Sequence, residues 1–170
     1  MSTPTIPATV LAELNRQVNH ELGAAHAYLA MSNWCATQNL KGFAAFFAKQ
    51  AAEEREHAGK LMRHVLDRGA APALAAQPAP KQDYGGLLEL ARQAQAMEQA
   101  NTRGIHAVYE AALAAKDYAA QVLMHWFISE QVEEEAWAAE MVERVEATTC
   151  AGGWLDLDRH ISKLLDGAKA

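Results

Sequence analysis

The chain has 170 residues, of which 51 % are hydrophobic, and a formal net charge of −6. This length predicts one domain with a substantial buried core. The negative charge argues against nucleic acid or an anionic membrane surface as the main partner. Alanine is abundant whereas valine, isoleucine and threonine are sparse, so the composition favours helix over sheet.

The sequence shows no sign of export or of membrane insertion. The first residues, MSTPTIPATV, lack the basic stretch and apolar run of a signal peptide, and no segment reaches the roughly 18 consecutive apolar residues of a membrane span. Cys35 and Cys150 form no CxxC motif, so we expect free thiols in a reducing compartment. We therefore expect a cytoplasmic protein without a membrane partner.

The first two predicted elements are long amphipathic helices joined by a short turn. The first helix is predicted from about Thr9, as its N-cap, to about Asn39. The second is predicted from about Lys41 to Arg68, and Gly69 ends it. Because only a few residues join the two helices, they should form an antiparallel hairpin.

A second helical hairpin and a short last helix follow. The third helix is predicted from near Gly86 to near Lys116, and the fourth from its cap at Asp117 to about Thr148. After a Gly-Gly pair, residues 154–166 have the pattern of one further short amphipathic helix.

The segment between the two hairpins decides how they are arranged. It is rich in Ala, Pro and Gly and has no hydrophobic period. An extended segment of about 17 residues spans roughly 50 Å, whereas a helix of about 28 residues is roughly 42 Å long. The segment can therefore cross the whole length of a bundle, which makes helices two and three parallel. The alternative is a linker between two weakly coupled hairpins, each with a wide apolar face exposed.

Each long helix carries an acidic residue on its apolar face. On the second helix, Glu54 and His57 lie one turn apart on a face whose positions recur at steps of three and four. The positions of this face are Phe43, Phe47, Gln50, Glu54, His57, Leu61 and Val65. The corresponding positions of the third helix are Leu87, Ala91, Ala94, Glu98, Asn101, Ile105, Val108 and Ala112, and those of the fourth are Leu123, Phe127, Glu130, Glu134, Trp137, Met141 and Val145. None of the four faces contains Lys or Arg, and all the acids lie near the midpoints of their helices. We therefore expect them in one layer at the bundle centre. The acids on the other three helices are Glu21, Glu98, Glu130 and Glu134.

Such a layer requires positive charge. A buried carboxylate without a cation costs several kcal/mol, and carboxylates at low dielectric repel one another. A single glutamate on such a face could reflect a misjudged helix register, but five at one height indicate bound metal. Oxygen-rich ligation with one imidazole suits iron or manganese better than a structural zinc site, and the number of ligands indicates two ions.

Five stretches of the chain resemble the non-haem bacterial ferritins of the ferritin-like diiron superfamily: NHELGAAHAY, MSNWC, KGFAAFFAKQAAEEREH, AMEQA and MHWFISEQVEEE. The resemblance implies one ferritin-like domain over residues 1–170. Its all-α fold is a four-helix bundle, at about residues 9–148, with a long crossover between helices 2 and 3 and a short fifth C-terminal helix. It also implies a hollow homo-oligomeric cage of 24 subunits that oxidises Fe(II) to Fe(III) with O₂ or H₂O₂ and stores ferric mineral.

The resemblance assigns two irons to the layer. One iron would be held by Glu21, Glu54 and His57, and the second by Glu98 and Glu134, with Glu54 bridging them. Gln131 would be a weak ligand or a hydrogen-bond partner of a ligand. A third iron is implied nearby, with Glu134 shared, on Glu53, Glu130 and Glu133.

Two aromatic residues match positions near the diiron centre of the family, Tyr28 and Trp126. The tyrosine is thought to supply an electron or to hydrogen-bond a ligand. For both residues, plain core packing is the alternative. Each remaining histidine lacks a partner at ligand spacing and is expected at the surface or an interface: His20, His26, His64, His106, His125 and His160.

The chain departs from related families at several positions. It has one ExxH motif rather than two, and Arg55 stands where bacterioferritins carry their haem-ligating Met, so we expect no haem. Gln121 and Met124 replace acids that line the threefold channel of many ferritins, which leaves the iron uptake route open. The competing interpretations are a catalytically inactive structural cage, a non-storing diiron oxidase or peroxidase, and a DNA-protecting miniferritin.

Overall fold

The computed structural model describes residues 6–166, apart from the side chains at positions 151, 162 and 166. Within this range there is no strand, and none of the helices combines the length and apolarity that a membrane span needs. Residues 1–5 and 167–170, the ends of the predicted domain, lie outside it. The five helices are α1 Ala8–Thr37, α2 Lys41–Asp67, α3 Leu87–Ala114, α4 Tyr118–Ala147 and α5 Ala151–Asp166.

The first three helices end in the same way. Asn39, Gly69 and Lys116 adopt left-handed backbone conformations, with φ of 60°, 76° and 55°. In each case the next residue's N–H donates to the carbonyl five residues back, at 2.9, 3.1 and 2.8 Å, which is the Schellman ending of a helix. Asp117 then caps α4 as predicted, because its carboxylate accepts from the Ala120 N–H at 3.2 Å.

The predicted N-cap of α1 is wrong. The helix begins at Ala8, Pro7 occupies the N-cap position, and Thr9 lies inside the first turn. The Pro7 carbonyl accepts from the Leu11 N–H at 2.9 Å. Proline has a fixed φ that suits the start of a helix, so no side-chain cap is required there.

The linker between the hairpins crosses the full bundle along α1. In the first half of α1, Asn19 Oδ1 accepts from the Ala75 N–H at 2.7 Å, and its Nδ2 donates to the Ala73 carbonyl at 2.8 Å. Near the end of α1, the rings of Trp34 and Tyr84 pack edge to face at 5.6 Å. Therefore α3 begins beside the start of α2 and runs parallel to it. The predicted crossover is confirmed, and the weakly coupled hairpins are not observed.

The core consists of two apolar clusters separated by polar residues. The upper cluster, at the α5 end, includes Phe43, Phe47 and Trp137. The lower cluster includes Leu14 and Met124. We call the buried residues between them the polar layer: Gln17, Glu21, Gln50, Glu54, His57, Glu98, Asn101, Gln131 and Glu134. Every position predicted on the apolar faces of α2 and α3 is buried.

Two of the seven positions predicted on the apolar face of α4 are wrong, Leu123 and Glu130, whereas Phe127, Glu134, Trp137, Met141 and Val145 are buried as predicted. Glu130, predicted on the apolar face, is only half-buried, and Gln131 takes the buried position. Gln131 can lie there because its neutral amide donates hydrogen bonds to the Glu98 carbonyl and to Thr102 Oγ1, both at 3.2 Å. Met124 is fully buried in the lower cluster, so its side chain cannot line a channel between subunits.

The last helix covers the upper cluster and docks at the start of α2. It begins three residues earlier than predicted, so the Gly-Gly pair lies within its first turn. The Asp158 carboxylate accepts from the Phe43 N–H at 2.9 Å, which caps α2 from outside. Gly42 permits this approach, because a Cβ there would lie 1.8 Å from the Asp158 carbonyl oxygen.

We expect Asp158→Ala to lower the stability of the protein by about 1 kcal/mol, the usual value of a helix cap, and to expose α5 to proteases. Chemical unfolding and limited proteolysis measure the two effects. The control is Asp156→Ala, because Asp156 is exposed on the same helix and, within the described residues, forms an ion pair with its neighbour Arg159 alone. Equal proteolysis of the two variants would contradict the docking role of Asp158.

Candidate metal centre

Three side chains of the α1–α2 hairpin converge in the polar layer. Glu21 comes from α1, and Glu54 and His57 come from adjacent turns of α2. One ligand atom from each lies within 4.8 Å of the others, and all three side chains are buried. Two carboxylates and one imidazole at this separation can bind a single ion.

Two atoms of this group lack a hydrogen bond among the described residues. Glu54 Oε2 and His57 Nδ1 are buried and face each other at 3.5 Å. Leaving a buried polar group unsatisfied costs about 1–3 kcal/mol. A divalent cation between them would satisfy both, because a carboxylate oxygen and a neutral ring nitrogen are metal ligands.

Two further carboxylates complete the layer from the other hairpin. Glu98 of α3 and Glu134 of α4 are each 1 % exposed. Glu134 accepts hydrogen bonds from Gln50 Nε2, at 2.8 Å, and from the Trp137 indole N–H. Glu98 accepts from the Tyr28 hydroxyl. These donors orient the two carboxylates but supply no positive charge.

The electrostatics of the layer favour protonated carboxyls when no cation is bound. Burial, with repulsion from Glu98, Glu134 and Glu53, raises the pKa of Glu54 to about 8. Burial and the charge of Glu134 raise the pKa of Glu98 to about 8. Burial and the charge of Glu54 raise the pKa of Glu21 well above its usual range. A cation that binds here must therefore displace protons.

The two aromatic residues singled out in the sequence lie on opposite sides of the layer. Tyr28 is fully buried against Phe47, and burial followed by the charge of Glu98 raises the pKa of its hydroxyl well above the usual value. Trp126 is 38 % exposed, with its ring edge-on to His57 at 5.5 Å. Lys60 Nζ lies 3.0 Å from the centre of that ring. Trp126 therefore forms an outer cover over His57 rather than part of the core.

The residues assigned to a third iron lie at the edge of the layer. Glu53 and Glu130 are half-buried, and Glu133 is exposed. Glu53 is near enough to raise the pKa of Glu54 by repulsion. The close group of ligand atoms found among the described residues contains only Glu21, Glu54 and His57. A third iron position stays a prediction.

The uncharged hydrogen-bond partners of the buried acids were not predicted as such from the sequence. Several of them were predicted on the apolar faces, but without a role as donors to the carboxylates. A polar residue one turn before or after each buried acid, on the same face, was the available signal. The missed residues are Gln17, Gln50, Asn101 and Trp137.

Comparison with known proteins relates the chain to ferritins. The family model of the ferritin-like domain matches residues 11–148. A bacterial non-heme ferritin of Staphylococcus aureus strain MRSA252 is 45 % identical over 127 residues, which cover 75 % of this chain and 76 % of that protein. A bacterial non-heme ferritin of Staphylococcus haemolyticus is 42 % identical over 127 residues, which again cover 75 % of this chain and 76 % of that protein.

Solved structures agree with the sequence relatives. An open pore ferritin from the hyperthermophilic archaeon Archaeoglobus fulgidus superposes with a TM-score of 0.90 at 33 % identity. The superposition covers 93 % of this chain and 98 % of the archaeal chain. A closed form of that ferritin, engineered by site-directed mutagenesis, gives the same TM-score and identity, with 93 % and 97 % covered. The four-helix bundle with a crossover and a short fifth helix is therefore confirmed.

We expect the stability of the metal-free protein to fall as pH rises from about 4.5 to about 8, the window between the unfolded and folded pKa values of Glu54 and Glu98. In this window the folded state holds protons that the unfolded state has lost, so the free energy of unfolding decreases by up to about 1.4 kcal/mol per pH unit for each carboxyl. Thermal unfolding between pH 5 and 8 measures the slope.

Glu54→Gln should make this pH dependence less steep, because the variant lacks the Glu54 carboxyl while Glu98 still titrates. Saturating Zn(II) should flatten it in the parent protein for a different reason, since the bound cation displaces the protons and leaves the carboxylates ionised in the folded state as they are in the unfolded state. The matched control is Glu110→Gln, which changes an exposed glutamate of α3. The interpretation fails if Glu54→Gln and Glu110→Gln have the same slope as the parent.

Proposed function

Because this chain belongs to the ferritin family, we propose that it is a ferroxidase that stores iron. Fe(II) is bound in the polar layer, oxidised with O₂ or H₂O₂, and kept as ferric mineral in a homo-oligomeric cage. One observation carries the proposal: four buried carboxylates and one buried histidine share the layer, and the buried charged residues of the described chain include no Lys or Arg.

Two iron positions account for this set of ligands. Glu21, Glu54 and His57 hold one Fe(II), and Glu98 and Glu134 hold the other. Glu54 is placed to bridge them, since it lies in the close group with Glu21 and His57 and is also repelled by the charges of Glu98 and Glu134. Gln131, whose amide donates to Glu98 Oε2 at 3.3 Å, orients the second position.

The bridging carboxylate allows two electrons to leave together. Each Fe(II) gives one electron, and an O₂ molecule that receives both, with two protons, is released as H₂O₂. When H₂O₂ is the oxidant, two electrons and two protons convert it to two water molecules. The protein supplies the distance between the irons, the negative charge that favours Fe(III), and exclusion of bulk water.

The buried hydrogen-bond donors keep the ligands in place through this change of charge. Tyr28 donates to Glu98, and Gln50 and Trp137 donate to Glu134. Donors that hold a carboxylate in one orientation limit how far it can turn away from the metal, and this outer support is worth about 10- to 100-fold in metal affinity. The raised pKa of Tyr28 keeps its hydroxyl protonated, so it remains a donor.

A third iron would enter or leave on the α2–α4 side of the layer. Glu53 and Glu130 are half-buried there and Glu133 is exposed, so the three carboxylates grade from the buried layer to the surface. Such a path of carboxylates can pass a cation between solvent and the diiron centre. Haem has no place in this proposal, because the position of its methionine ligand is Arg55.

Assembly into a cage is supported by apolar side chains left in solvent. Tyr118, Val122 and Val132 of α4 are each about 70 % exposed in the single chain. Tyr118 and Val122 lie one turn apart on the same helix, and large apolar side chains exposed in this way suit burial against a neighbouring subunit. The number of 24 subunits follows from the family resemblance.

The test is addition of Fe(II) to the metal-free protein in air, followed by ferric absorbance. Glu54→Ala and His57→Ala should slow oxidation by at least about 10-fold, because each removes a ligand, while the assembled particle persists. The matched control is Glu56→Ala, which changes an exposed glutamate of the same helix and should oxidise iron at the parent rate.

Gel filtration after oxidation separates the competing functions. Site-dependent oxidation with iron in the peak of a large particle supports a storage ferritin. Oxidation without retained iron indicates a non-storing diiron oxidase. Oxidation that is equally slow in the parent and in Glu54→Ala indicates an inactive structural cage.

A further inference from the structure

Asn101 contacts side chains from two other helices within the polar layer. It lies on α3, one turn after Glu98, and is 2 % exposed. Its Oδ1 accepts from Gln17 Nε2 of α1 at 2.5 Å. Its Nδ2 donates to Glu21 Oε2 at 3.2 Å and to Gln131 Oε1 of α4 at 3.4 Å.

Both oxygens of Glu21 are engaged by these two amides. Asn101 donates to Oε2, and Gln17 Nε2 donates to Oε1 at 2.8 Å. Toward an ionised Glu21 the Gln17 amide must present its nitrogen, because exchanging its oxygen and nitrogen would place an oxygen against both Glu21 and Asn101 Oδ1. The pair therefore determines the orientation of the Glu21 carboxylate.

We propose that Asn101, together with Gln17, is a positioning residue for the Glu21 metal ligand, an inference that rests on the metal site proposed above. The two amides hold the carboxylate toward Glu54 and His57 before a cation arrives. Because both amides are neutral, they orient Glu21 without competing with the cation for its charge. The bond from Asn101 to Gln131 extends the same support toward Glu98, to which Gln131 donates at 3.3 Å.

Gly104 provides the space in which this arrangement fits. It lies on α3, three residues after Asn101, and is buried. A Cβ at this position would lie 2.3 Å from Gln17 Oε1, too close without displacement of the side chain. Arg16 Nη2 donates to the Gly104 carbonyl at 2.9 Å, which holds α1 against α3 there. A side chain at position 104 would therefore move Gln17 away from Glu21.

Binding of Co(II) to the metal-free protein tests the inference, because the visible spectrum of Co(II) reports the geometry of its ligands. Asn101→Leu keeps a similar volume but removes all three hydrogen bonds. It should weaken Co(II) binding about 10- to 100-fold and change the spectrum, while helix content stays that of the parent. Gln17→Leu should have a similar effect.

The double variant Asn101→Leu with Gln17→Leu separates positioning from packing. If both residues act through Glu21, the loss of affinity in the double variant is smaller than the product of the two single losses. Independent losses that multiply would overturn the shared role. A second pair of variants changes no polar residue. Gly104→Ala should weaken Co(II) binding. Its control, Gly59→Ala, should not, since no atom of the described residues lies within 4 Å of a Cβ at position 59.

Glu54→Ala distinguishes failure of this inference from failure of the proposed function. The metal site itself is wrong if Glu54→Ala binds Co(II) as well as the parent does, or if the parent binds none. If the parent binds Co(II) and Glu54→Ala does not, parental affinity and spectrum in Asn101→Leu and Gln17→Leu would overturn the positioning role alone. Should Asn101→Leu fail to fold, parental Co(II) binding by Gly104→Ala would overturn it instead.

Discussion

Repulsion among carboxylates buried at the bundle centre is the constraint on which the rest of this structure depends. Burial at low dielectric disfavours each charge, and the neighbouring charges add to the penalty. In the metal-free protein, retained protons and neutral donors such as Tyr28 and Gln50 reduce this penalty. Bound cations remove it. The four carboxylates are Glu21, Glu54, Glu98 and Glu134.

The fold provides the stability that such a centre requires. Two apolar clusters lie above and below the polar layer, so the layer is a minority of an otherwise hydrophobic core. The crossover along α1 brings the two hairpins together with their acids at the same height. The docking of α5 on the upper cluster closes one end of the bundle. A loosely packed pair of hairpins could not keep four carboxylates buried in one layer.

Much of this arrangement could be predicted from the sequence, because in a regular helix the spacing of residues along the chain determines which side chains share a face. The apolar faces of α2 and α3 were predicted at every position, including Glu54, His57 and Glu98. Two positions of α4 could not be predicted, because adjacent residues there have the same character: Leu123 and Met124 are both apolar, and Glu130 and Gln131 are both polar. Packing against the neighbouring helices decides which residue of each pair is buried.

The hydrogen-bond network around the acids could not be predicted from the sequence, for a different reason. A glutamine or asparagine on an apolar face has several rotamers, and its partner lies on another helix at an unknown height. The link between Gln17 and Asn101 spans two helices and depends on the absence of a side chain at Gly104. Such a contact depends on the packing of α1 against α3, not on local spacing.

The most direct test of the account is anomalous diffraction at the iron edge from crystals soaked in Fe(II) without oxygen. The account predicts two peaks in each subunit, one among Glu21, Glu54 and His57 and one between Glu98 and Glu134, with Glu54 in contact with both ions. Absence of a peak within the polar layer, with iron bound only elsewhere on the protein, would contradict it.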